Sequence, residues 1–137
     1  LLAVASWEDV STIALGLPEA VEQMRRGSRS WSVRDRAFAW ERPLRPREVA
    51  ALGERAPDGP IIAARVEHLV AKEALLADDP DVYFTTPHFD GFPAVLALLE
   101  RLAPAELEEL LVEAWLARAP KTLVRAFVED RGLADPG

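Results

Sequence analysis

The sequence predicts an α+β domain in which an antiparallel sheet packs against helices, and three observations lead to it. Short strand-like stretches crowd residues 20–41 and recur at 61–66, 82–85 and 94–99, whereas helical spacing of apolar residues marks both the start and the end of the chain. Strands and helices do not alternate regularly, so the βαβ units of a parallel sheet are not expected. With 137 residues, half of them hydrophobic and 28% charged, the chain is long enough for one domain over 1–137 with a real core. Its apolar residues fall in short runs, not in the block of about 20 that a membrane span needs.

The elements follow in order. Ser6-Trp7-Glu8-Asp9 reads as a helix cap with an acid three residues on. Val10, Ile13, Ala14 and Leu17 then recur at helical spacing until Gly16 and Pro18 end a helix over about 7–15. Strands are expected at 20–24, 29–34 and 37–41, with a tight hairpin at Asp35-Arg36. Strict alternation places Trp31, Val33, Phe38 and Trp40 together on a core-facing side. Pro46 suits the first position of a short helix through Leu52, and Pro57-Asp58-Gly59-Pro60 is a turn. The β-branched run 61–66 reads as a buried strand, and a helix over 67–77 is stopped by Asp78-Asp79-Pro80. Strands at 82–85 and 94–99 flank a loop over 86–93. A helix from Pro104 has acids in its first turn, Arg118 in its last and a stripe of Leu107, Leu110, Leu111 and Ala114. Pro120 opens the last helix, with Leu123, Val124 and Phe127 inward and Gly132 closing it, and residues 133–137 read as a disordered tail. Trp7 and Trp115 fall on helix faces as core or half-buried residues.

Charge is segregated. The chain carries a net −7, yet residues 25–47 hold eight arginines against Asp35 and Glu41, a local +6 that leaves −13 elsewhere. Arg25, Arg26, Arg29, Arg34, Arg36, Arg42, Arg45 and Arg47 are therefore candidate phosphate-binding residues, with Arg29, Arg34 and Arg36 projecting from a hairpin tip and the others flanking it. The bland alternative is a solvated hairpin neutralised by the acidic remainder. An overall pI near 4.9 opposes broad nucleic-acid affinity, so such binding would need a separate patch.

Motifs that would force a reaction are missing. There is no cysteine, which excludes disulfides and thiolate chemistry and suits a reducing cytoplasm. No basic n-region precedes the apolar start, so no signal peptide is expected there. The sequence contains no nucleophile elbow and no glycine-rich phosphate loop. Two histidines, His68 and His88, make a weak metal set, and neither metal nor cofactor is expected. Thr86, His88 and Asp90, in a loop shaped by Pro87, Gly91 and Pro93, are a candidate ligand pocket, though the plainer reading is a strand connection whose polar groups bond to their own backbone. Lys72 and Lys121 read as surface lysines.

Several segments together resemble the MmcQ/YjbR family of small bacterial proteins: Gly27-Ser28-Arg29-Ser30-Trp31, Ala37-Phe38-Ala39-Trp40-Glu41-Arg42-Pro43, Lys72-Glu73-Ala74-Leu75-Leu76, Phe84-Thr85-Thr86-Pro87-His88-Phe89-Asp90-Gly91 and Ala114-Trp115-Leu116-Ala117-Arg118-Ala119-Pro120-Lys121. The resemblance implies a curved antiparallel sheet against helices, of double-wing type, and supplies no catalytic residues. Its DNA-binding label is an analogy from shape. The expectation is thus a non-catalytic binding module, cytoplasmic, a monomer or weak dimer, without membrane contact. Its partner would be DNA or another acidic protein or ligand at the arginine hairpin. The alternative is a small-molecule binder or enzyme centred on His88 and Asp90.

Overall fold

Six strands form one antiparallel sheet, in the order β1-β2-β3-β4-β6-β5, in a computed structural model that describes residues 4–132. The elements are α1 (Trp7–Leu15), β1 (Ala20–Arg25), β2 (Ser28–Val33), β3 (Arg36–Glu41), α2 (Pro46–Leu52), β4 (Ile61–Arg65), α3 (Leu69–Asp78), β5 (Tyr83–Phe84), β6 (Ala94–Leu98), α4 (Pro104–Arg118) and α5 (Lys121–Asp130), with short 3-10 turns after α2 and β6. The α+β class is as expected. The tail over 133–137 lies outside the described residues. Among those described, no helix is long and apolar enough to cross a membrane.

Local chemistry sets the boundaries. Ser6 Oγ accepts from the Asp9 N–H at 3.3 Å while the Ser6 N–H donates to Asp9 Oδ2 at 3.0 Å, a reciprocal box that starts α1. The third helix begins at Leu69, two residues later than its periodicity predicts, because His68 Nδ1 accepts the Ala71 N–H at 3.1 Å and so caps it. Two tight turns join β1 to β2 and β2 to β3. Arg26 and Gly27 have φ of 52° and 81°, and Arg34 and Asp35 have 49° and 65°. Paired positive φ values are the mirror-image turn whose twist matches a hairpin. The second turn thus sits at Arg34-Asp35, one residue before the expected place.

α4 lies across β3 and β4, and α1 packs on α4 and β1, so one face of the sheet holds the main core. Trp31, Val33, Phe38, Ala39 and Ile62 meet Leu107, Leu111, Ala114 and Trp115 there, all fully buried. Both buried indoles have acceptors: Trp31 Nε1 donates to Glu22 at 2.7 Å and Trp115 Nε1 to the Pro18 carbonyl at 3.0 Å. Trp7 is half-buried and stacks on Trp31 with ring centroids 6.2 Å apart.

The expected face of Trp40 is corrected by a β-bulge. Trp31 pairs with Ala39 but Ser32 pairs with Ala37, which leaves Phe38 as an extra residue in β3. Phe38 and Ala39 therefore both reach the main core, and the alternation beyond them is inverted. Trp40 turns to the opposite face, where it packs with Phe84, Phe89, Leu96 and Leu98 in a second, smaller cluster.

Candidate anion-binding groove

Among the described residues that second face carries no long helix over β1–β3, and an open groove of about 940 Å³ runs along it. Ser28, Ser30 and Trp40 form its floor. Arg25 and Arg26 rise at the β1–β2 turn, Arg45 stands on the Pro43–Pro46 segment, and His88, Phe89 and Phe92 form the loop wall. Part of the arginine segment and part of the 86–93 loop, which the sequence presents as separate candidates, thereby line one groove.

The walls are held by buried charges. Arg42 Nη1 and Nη2 donate to the two oxygens of Glu48, each at 2.9 Å, and Nη1 also donates to the Pro43 carbonyl at 2.6 Å. Glu48 further accepts the Arg45 N–H at 2.9 Å and the Thr86 hydroxyl at 3.0 Å. Burial opposes its ionisation, but the Arg45 N–H, the Arg42 guanidinium and the Thr86 hydroxyl outweigh this and hold the carboxyl below its ordinary value. Strand end, helix start and loop are thus tied by one bidentate ion pair. The Arg42 guanidinium also lies over the Phe89 ring, 5.2 Å from its centroid.

A second buried cation holds the loop from behind. Lys72 is 4% exposed, against the surface position its sequence context suggests. Its Nζ donates to the Phe89 carbonyl and, at 3.0 Å, to the Phe92 carbonyl. Burial pushes its pKa down, with the charge of Asp90 acting the other way. A signal for this was present: Lys72 lies four residues before Leu76 and three after Leu69, on the apolar stripe of α3.

The eight arginines do not share one tip. Arg25, Arg26, Arg29, Arg42 and Arg45 border the groove, while Arg34 and Arg36 stand at the other end of β2 and Arg47 is exposed on α2. Three of the eight are engaged by carboxylates within the protein, and Arg25 Nη2 donates to Gln23 Oε1 at 3.4 Å. Arg29 Nε donates to Glu41 at 3.1 Å and its guanidinium lies over Trp7, Arg34 Nη2 donates to Glu19 at 2.9 Å, and Arg42 is the buried partner of Glu48. The exposed Glu19 carboxyl is held below its ordinary value by the hydrogen bond from Arg34. Arg25, Arg26 and Arg45 make no salt bridge among the described residues. Nor do Thr86, His88 and Asp90 converge. Thr86 is buried on Glu48, His88 is exposed on the groove wall, and Asp90 accepts from Thr85 Oγ1 at 3.3 Å outside the lining. Among the described residues no group of three or more His, Asp or Glu could hold a metal ion.

A family model described as YjbR matches residues 15–117, which span the whole sheet and most of α4. The chain belongs to the YjbR family. Uncharacterized proteins of Mycobacterium bovis and of two Mycobacterium tuberculosis strains are each 48% identical to it over 132 residues, covering 94% of this chain and 100% of theirs. The crystal structure of a Deinococcus radiodurans protein with a DUF419 domain superposes with a TM-score of 0.66 at 18% identity, covering 98% of this chain and 94% of that one. This last likeness concerns the YjbR fold alone.

Proposed function

We propose that this YjbR chain is a non-catalytic binding module whose groove takes the phosphate backbone of a nucleic acid. The observation that carries the reading is the set of Arg25, Arg26 and Arg45, exposed at one groove without carboxylate partners among the described residues while Arg29, Arg34 and Arg42 are engaged elsewhere. Guanidinium groups without carboxylate partners beside an aromatic wall suit a strand whose phosphates they neutralise and whose bases meet His88 or Phe92. Affinity would then fall with salt, by a log–log slope of about −2 for three phosphates of a single strand.

Fluorescence anisotropy of labelled single-stranded and duplex DNA across a salt series tests this. Arg25→Glu with Arg26→Glu should abolish binding, and Arg34→Gln at the other end of β2 should change it little. Absence of binding at low salt, or binding that the double variant keeps, would reject the reading. The groove volume also lies within the range of small-ligand pockets, which favours a small anionic ligand as the second reading. A thermal-shift screen of phosphorylated metabolites, with His88→Ala as control, checks it; a ligand bound equally by that variant does not use this wall.

A further inference from the structure

The floor of the groove is fixed by the sheet register. Ser30 of β2 lies directly opposite Trp40 of β3, and Ser28, the next residue of β2 on the same face, lies opposite Arg25 of β1. Opposed residues have Cβ atoms about 4.5–5.5 Å apart, and successive residues on one face of a strand are about 7 Å apart. Ser30 is 4% exposed and lines the groove, yet its hydroxyl makes no hydrogen bond among the described residues. Trp40 is half-buried and braced from the loop side, where Phe89 stacks on it with ring centroids 6.5 Å apart and planes 27° apart. Its neighbours in register, Ser30 and Ala63, are both small. Trp7, Trp31 and Trp115 belong to the main core on the opposite face.

A buried hydroxyl without a partner costs stability, and the side from which one can reach Ser30 is the groove that it lines. An indole at the bottom of a groove bordered by arginines is a surface on which a base can stack. Bases inside a duplex already stack on their neighbours, so an unpaired base is the one that can use it. We propose that the floor takes a nucleoside phosphate whose base is unpaired. The base stacks on Trp40, the Ser30 hydroxyl bonds to the base edge or the sugar, and the phosphate lies one step along β2, at Ser28 and Arg25. The site rests on the phosphate reading of the groove and narrows its ligand to a single strand or a free nucleotide.

The test compares a short DNA single strand, an abasic strand of the same length, a hairpin duplex and a nucleoside monophosphate at one low salt concentration. Anisotropy follows the labelled strands, and tryptophan emission follows every probe, since Trp40 is the indole that lines the groove. The base-bearing strand should quench the emission saturably and bind about tenfold or more tightly than the abasic strand or the duplex. Trp40→Phe should remove the quench, and Trp40→Ala should bring the base-bearing strand down to the affinity of the abasic one. Ser30→Ala should weaken the base-bearing strand about threefold or more without lowering the urea midpoint, because its hydroxyl has no internal partner to lose. Ser30→Val fills the floor while leaving the indole in place, so it should weaken the same strand even if Trp40→Ala does not fold. Quenching by the monophosphate alone supports the site with a free nucleotide as its ligand; quenching by the strand alone supports it with a strand. Base-bearing and abasic strands bound equally, with both lost in the Arg25→Glu, Arg26→Glu variant, would overturn the floor site and leave the phosphate groove standing. No binding by any probe overturns both.

Discussion

Glu48 has a neutral-looking place in the sequence, three residues into a short helix, yet in the structure it joins Arg42, the Arg45 backbone and Thr86. Its folded pKa is depressed, so its stabilising contribution is present above the unfolded carboxylate value of about 4.3 and is lost as pH falls through the folded value. Glu48→Gln leaves Arg42 buried without its counter-charge and should cost about 3–5 kcal/mol near neutral pH. Protonating Glu48 removes the same charge from the wild type. The stability gap between the two, measured by urea unfolding, should therefore narrow as pH drops through the acid range. Lys72→Met makes the matching test behind the loop. It removes the donors to the Phe89 and Phe92 carbonyls, with an expected cost of about 1–3 kcal/mol. Hydrogen exchange of the loop amides should speed up more than that of β4 and β6.

At the scale of elements, the order of helices and strands was legible because capping, proline placement and periodicity are local. The Ser6–Asp9 box, Pro46 and Pro104 at helix starts, and the apolar runs of β4 and β6 needed no knowledge of the fold. The face of Trp40 was not legible, since a bulge adds one residue to one strand and shows only when its partner strand is known. That residue, Phe38, matters twice: it fills the main core and it turns Trp40 toward the groove. The groove was half legible. Arginine density identified one wall, but which arginines are engaged depends on carboxylates distant in sequence, such as Glu41 for Arg29 and Glu19 for Arg34. Phe38→Ala should cost about 3–5 kcal/mol by opening a core cavity, read from the urea midpoint. If the bulged backbone persists, DNA affinity of the folded fraction should be unchanged.

Across the whole molecule, charge segregation bears on the binding proposed for the groove. Residues outside 25–47 carry −13, and α4 presents exposed Glu106, Glu108, Glu109 and Glu113 from the helical side of the sheet, opposite the groove. A polyanion approaching the groove feels both fields when screening is weak. At about 0.01 M salt the screening length is about 30 Å, longer than the thickness of a helix packed on a sheet, whereas at about 0.1 M it is about 10 Å. The acidic face should thus suppress DNA binding at low salt and matter little at higher salt, an effect opposite in sign to that of the groove arginines. Neutralising Glu108, Glu109 and Glu113 together to glutamine leaves the buried stripe of α4 and its capping Glu106 untouched. This variant should bind DNA more tightly than wild type at low salt, converge with it as salt rises, and show a steeper salt slope. A triple variant whose affinity matches wild type at every salt concentration would mean that the groove works by contact alone, without a long-range contribution from the acidic body.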